Sequence, residues 1–127
     1  MVAELEQSSG DVGDTEDIVV SQWSEVSADV KHQLRQKVDE ILRPLGLQTR
    51  LLVVERADKL VPYFSCLTLS SVVSLRDQFN NGQLQDILED LFTVLSGFVQ
   101  PVYLKRISWP AAQFHRCLDF FSAVQGL

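Results

Sequence analysis

Two β-rich runs, Arg50-Leu-Leu-Val-Val-Glu-Arg56 and Leu60-Val-Pro-Tyr-Phe-Ser-Cys-Leu-Thr-Leu69, are separated by three residues only. So short a join cannot hold a helical crossover. The runs must lie side by side and antiparallel, with Ala57-Asp58-Lys59 as the turn. Pro62 has no N–H to give to a ladder, which places it near a strand start or on an edge. A lone hairpin is at best marginal in water. The rest of the chain has to cover it, and the segments on either side read mostly as helices.

Upstream, Val26, Val30, Leu34, Val38, Ile41, Leu42 and Leu45 recur at helical spacing, with Lys31, His32, Arg35, Gln36 and Asp39 on the other side. This predicts one long helix, capped by Ser24 or Ser27 and ended by Pro44 and Gly46. The β-branched Ile18-Val19-Val20 before it reads as a short first strand. Downstream, Ser70-Ser71 can cap a helix lined by Val72, Leu75 and Phe79, and Asn80-Asn81-Gly82 interrupts it. A second helix follows on Leu84, Ile87, Leu88, Leu91 and Leu95, with Gly97 as its stop and Asp86, Glu89 and Asp90 on its wet face. Pro101 to Ile107 alternates as a strand, Val102 and Leu104 facing one way and Tyr103 and Lys105 the other. Ser108-Trp109-Pro110 is a helix start, and Phe114, Cys117, Leu118, Phe121 and Val124 form the last apolar face.

The predicted order is β-α-β-β-α-α-β-α. It gives an α+β fold, an α–β sandwich whose four-stranded, mainly antiparallel sheet carries its helices on one face, on the ferredoxin-like plan. The chain has 127 residues and a formal charge of −6. Six acids and no base fall in the first 17 residues, which leaves 11 acids and 11 bases in the remainder. Residues 1–15 therefore read as a disordered acidic leader, and 16–127 as a single interaction domain. A neutral body lacks the basic footprint of a nucleic-acid binder. The N-terminus has no signal-peptide pattern, and no run approaches the ~18 apolar residues of a membrane span. Cys66 and Cys117 sit in apolar runs, as reduced core cysteines do. The chain reads as soluble and cytoplasmic.

The patterns that carry catalysis are missing. His32 and His115 fall on polar helix faces. His115 and Cys117 are two apart on a helix, so they point ~200° apart and cannot form a nucleophile–base pair. There is no Cys-x-x-Cys, no metal-ligand spacing and no phosphate-binding glycine loop. The expectation is a protein with no catalytic residues, no metal and no cofactor. What remains is the uncovered sheet face, with Tyr63 and Tyr103 among small and polar neighbours, as in a protein-contact patch. Arg50, Arg56, Lys59, Lys105 and Arg106 could add a mild basic patch. On that basis a ferredoxin-like RNA-binding module is a third reading.

Several segments carry a more specific likeness. They are Val54-Glu-Arg-Ala-Asp58, Ser74-Leu-Arg-Asp-Gln-Phe-Asn-Asn-Gly82-Gln-Leu84, Val102-Tyr-Leu-Lys105 and His115-Arg-Cys-Leu118. Over about residues 16–124 the chain resembles the N-terminal domain of the TRADD family of death-domain adaptors. The resemblance implies an α–β sandwich that binds the C-terminal domain of TRAF adaptors through its sheet face and adjoining strand edges. Carried over by matching strands, the contact falls on Glu55, Ala57, Val61, Tyr63, Tyr103 and Lys105, with Val19 or Val20 of the first strand beside them. The function implied is a non-catalytic adaptor in death-receptor or innate-immune signalling. Its partner is a TRAF-type domain or a further domain of the same protein. A self-associating regulatory N-terminal domain of a larger receptor-like protein is the second reading.

Overall fold

The computed structural model describes residues 1–6, 12–97 and 101–125. The hairpin forms as expected, β2 (Thr49–Arg56) against β3 (Leu60–Cys66), with Ala57–Lys59 as its turn. Pairing runs from Thr49 opposite Cys66 to Arg56 opposite Leu60, with one irregularity between Leu51 and Val53. Leu52 is the extra residue there, a bulge in β2 that leaves its carbonyl off the ladder. The indole Nε1–H of Trp23 donates to that carbonyl at 3.2 Å, so a helix side chain covers the outer edge of the sheet.

The N-terminus departs from expectation. Val2–Leu5 is a strand, β1, at an interior position of a four-stranded antiparallel sheet with order β2-β3-β1-β4, where β4 is Leu104–Ser108. Ala3 pairs with Leu60 on one side and Ile107 on the other. A disordered leader over 1–15 is therefore wrong for its described residues, while residues 7–11 lie outside them. The physical reason is alternation. Ala3 and Leu5 are buried in the core, while Val2 and Glu4 face away, so one acidic residue in four is no obstacle to a strand.

Ile18-Val19-Val20 is correspondingly not a strand. It lies inside helix α1 (Val12–Ala28), whose buried residues Glu16, Val19, Trp23 and Val26 recur at helical spacing. Burial along that stripe outweighs the β preference of three branched residues. The single long helix predicted over Val26–Leu45 is also broken. Asp29 Oδ1 accepts from the Lys31 N–H at 2.9 Å and its carbonyl accepts from His32 N–H, a turn that stops α1. Val30 is left 79% exposed. Chain direction then changes into α2 (Arg35–Leu42) and a 3₁₀ turn at Arg43–Leu45. Val26, Val38 and Leu45 still reach the core, from three separate pieces.

The second half follows its pattern closely. Helix α3 (Leu69–Asn80) is capped by Thr68 in a reciprocal box with Ser71, two residues before Ser70. Gly82, at φ 87°, supplies the left-handed residue that separates α3 from α4 (Gln83–Leu95). Leu84, Leu88, Leu91 and Phe92 of α4 are fully buried and form the centre of the core with Ala3, Leu60 and Leu104. Helix α4 also holds the entry to β4. Gln85 Nε2 donates to the Leu104 carbonyl at 3.0 Å, Glu89 Oε1 accepts from Leu104 N–H at 3.0 Å, and Thr93 Oγ1 accepts from Val102 N–H at 2.8 Å. Those three residues recur every four positions, so one face of the helix tracks the strand.

Helix α5 (Ala111–Gln125) packs on α3. The Arg76 guanidinium fixes this join. It stacks within about 5 Å of the Phe79, Trp109 and Phe114 rings and donates to the Trp109 carbonyl at 2.5 Å. The result is a four-stranded antiparallel sheet with its helices on one face.

Candidate interaction surface

Strand register decides what the uncovered sheet face presents. Glu55 stands opposite Val61 and Val53 opposite Tyr63 on β2 and β3, and Glu4 stands opposite Arg106 on β1 and β4. Of the six residues proposed from the sequence, Glu55, Ala57, Tyr63, Tyr103 and Lys105 are exposed and Val61 is half-buried. Tyr63 is 47% and Tyr103 52% exposed, both large for aromatic side chains on a folded surface. Ala57 lies in the hairpin turn, where its N–H donates to the Lys59 carbonyl. Val19 and Val20 belong to α1 and take no part in this face.

The structure divides these residues into two groups. Glu55, Val61 and Tyr63 are neighbours on the β2–β3 pair, with Tyr63 on the side away from the hairpin turn. The Glu55 carboxylate raises the Tyr63 phenol above its ordinary pKa, chiefly by its charge and then by accepting its hydrogen bond, with burial adding to both. Tyr103 and Lys105 lie at the end of the sheet nearest the hairpin turn, where the Glu6 N–H donates to the Tyr103 carbonyl. Extending the Ala3–Leu60 register puts Tyr63 beyond Met1, some six residues from Glu6 along β1. The two tyrosines are thus roughly 20 Å apart along the strands and do not form one aromatic patch.

Between them sits a feature that sequence reasoning missed. Glu4 is the hub of three cations: Arg106 Nε at 3.0 Å, Lys59 Nζ at 3.4 Å and Lys105 Nζ at 4.0 Å. Burial pushes the Glu4 carboxyl up, but the Lys59 hydrogen bond and the three positive charges outweigh it and hold the carboxyl below its ordinary value. The signal was present in the alternation of Val2-Ala-Glu-Leu5, which puts Glu4 on the face opposite Ala3 and Leu5. Arg56, by contrast, is drawn off to α1, bonding Asp17 at 2.6 Å and lying 3.7 Å from Glu16.

Glu16 is the counterpart of Glu4. It is buried, and burial raises its pKa more than Arg56 lowers it. The signs of the two linkages are opposite. Glu16 favours the folded state while protonated, so its contribution is lost as pH rises through its raised folded pKa. Glu4 contributes above its unfolded pKa and loses that contribution as pH falls through its depressed folded value. In denaturant titrations at about pH 7 and about pH 3, Glu16→Gln should be more stable than the parent at the higher pH only. Glu4→Gln should be less stable at the higher pH, with the difference smaller at the lower. A Glu16→Gln variant destabilised at neutral pH would mean that the Arg56 pair outweighs burial.

A groove of about 460 Å³ opens beside Tyr63, between β3 and α5. Both cysteines line it, half-buried and unpaired, and burial raises the Cys66 thiol above its ordinary value. Among the described residues no cluster of three or more His, Cys, Asp or Glu could hold a metal ion, and no helix is long and apolar enough to cross a membrane. Comparison of the chain with protein-family models, with curated proteins and with solved structures returns no match.

Proposed function

We propose that this chain is a non-catalytic protein-interaction module that meets its partner on the uncovered sheet face. The observation that carries the proposal is that face itself. Its helices pack on the other side, while Val53, Tyr63 and Tyr103 remain exposed on a rigid, four-stranded platform. Exposed aromatics on a pre-formed surface are favourable anchors, because little conformational entropy is lost on binding. The strand order β2-β3-β1-β4 supports the finer ferredoxin-like assignment. The likeness to the TRADD N-terminal domain supports an intracellular adaptor of the TNF and TRAF type in death-receptor or innate-immune signalling, with a TRAF C-terminal domain as partner.

An RNA-binding reading is less favoured by the geometry. Arg56, Lys59, Lys105 and Arg106 each lie against a carboxylate. Tyrosines roughly 20 Å apart cannot stack adjacent bases.

The test is a calorimetric titration of the chain with a TRAF C-terminal domain. Wild type should bind in the micromolar range, and Tyr63→Ala and Tyr103→Ala should each weaken binding about tenfold or more. Because the two side chains are far apart, their effects should add in the double variant. Wild-type binding that survives both substitutions would move the interface off this face. Absence of wild-type binding would end the TRAF assignment.

A further inference from the structure

The end of the β2–β3 pair opposite its hairpin turn carries the apolar side chains that the fold covers least. Leu47 is 99% exposed, Val30 79% and Leu67 64%, the three highest values for large apolar residues among those described. They are distant in sequence and share one end of the fold. Gly46, at φ 90°, turns the chain out of the 3₁₀ segment, and Leu47 follows it, two residues before β2 begins. Strand β3 ends at Cys66, opposite Thr49, and Leu67 comes next. Its N–H donates to the Gln48 carbonyl at 2.9 Å and Thr68 Oγ1 donates to Gln48 Oε1 at 2.6 Å, so the two loops are tied together. Helix α1 runs along β2 toward the same end, with Asp17 at Arg56, Trp23 at Leu52, and Ser27 lining a cavity with Thr49 and Arg50. Val30 stands in the turn just beyond that helix.

Charge at this end runs against the rest of the chain. The protein carries −6, yet no acid falls in 41–54 or 59–76, the stretches that hold the Leu47 and Leu67 loops. Arg43 and Arg50 are exposed there, and among the described residues neither lies at ion-pair distance from a carboxylate. Around Val30, Asp29 and Lys31 offset each other. We propose that this end docks on an anionic lipid surface, with Leu47, Leu67 and Val30 entering the headgroup boundary and Arg43 and Arg50 meeting lipid phosphates. Single apolar side chains on separate loop tips suit a bilayer, because lipid closes around each one. A protein partner or a covering segment of chain needs a contiguous patch or slot, and a side chain 99% exposed has no neighbours to build one. A second copy docked through the same patch would bring the arginines against like charge. Docked by this end, the strands stand upright and the uncovered sheet face stays open to a partner. The inference goes beyond the sheet-face reading and uses none of its residues.

The test is co-sedimentation of the full chain with unilamellar vesicles of phosphatidylcholine and phosphatidylserine in about a 7:3 ratio. Wild type should pellet with these vesicles and stay in solution with pure phosphatidylcholine. Raising salt from about 0.05 M to about 0.5 M should release most of it. Leu47→Ala and Leu67→Ala should each weaken binding about tenfold, and Arg43→Ala and Arg50→Ala about fivefold. All four positions are exposed, so urea unfolding of the variants should match the parent. Wild type that stays in solution overturns the proposal, and so does equal binding to both kinds of vesicle. Binding that falls with the arginine changes but ignores the leucine ones overturns it too, since nothing is then inserted. Poly-glutamate bound as tightly as the vesicles would assign this end to an acidic protein, and self-association abolished by Leu47→Ala would assign it to a second copy. Either result overturns the lipid reading. Tyr103→Ala, toward the opposite end of the sheet, should leave vesicle binding unchanged, so failure of this end and failure of the sheet-face reading are told apart.

Discussion

Truncation of Phe92 to alanine should destabilise the domain by about 3–5 kcal/mol, the range for a large aromatic removed from a closed core. Phe92 is fully buried on α4, in one core cluster with Leu84, Leu88 and Leu91 of the same helix and with the buried residues of β1 and β4. Domains of this size are stable by about 5–15 kcal/mol, so the variant should be marginal or unfolded at physiological temperature. Tyr103→Ala is the matched comparison. Its ring is half in solvent and the hydrogen bond at that position uses the backbone carbonyl, so the change should stay within about 0.5 kcal/mol. Urea unfolding with an unchanged denaturant slope measures both. If Tyr103→Ala unfolds the domain as readily as Phe92→Ala, that sheet face is a packed surface and the proposed interface is lost.

Arg76→Ala should be the most damaging substitution outside the core, at about 2–4 kcal/mol from three ring contacts and one charged hydrogen bond removed together. Its guanidinium lies 4.8 Å from the Phe79 ring and 5.1 Å from both the Trp109 and Phe114 rings. It therefore ties α3 to the entry of α5. Arg76→Lys should recover little, because a compact ammonium cannot stack on rings and reach the Trp109 carbonyl at once. The expected signature is local. Amide exchange should accelerate through α5 while β2 and β3 keep their protection. Equal acceleration everywhere would show that α5 is part of the cooperative core.

Much of the fold was legible where the signal is local. The three-residue join of Ala57–Lys59 forced the β2–β3 hairpin. Asn80-Asn81-Gly82 forced the break between α3 and α4, and the alternation around Val102 and Leu104 put Tyr103 and Lys105 on the outer face. Misreadings came where local preference and long-range burial disagree. Ile18-Val19-Val20 has the composition of a strand, but the stripe from Glu16 through Val19 and Trp23 to Val26 buries only as a helix. Val2–Leu5 has too few residues to announce a strand, and becomes one because β3 and β4 offer an edge on each side.

The candidate site divides in the same way. The pattern within the strands was enough to put Tyr63, Tyr103 and Lys105 on the outer face, while Glu55 came in only through the resemblance to the TRADD family. Which of these residues are neighbours was not readable from the chain. Strand order and register join positions dozens of residues apart, and they separated the two tyrosines and gathered Lys59, Lys105 and Arg106 around Glu4. Local periodicity determines which way a side chain points, because backbone geometry repeats every two or 3.6 residues. Only tertiary pairing decides what it points beside, because that depends on contacts with no local signature.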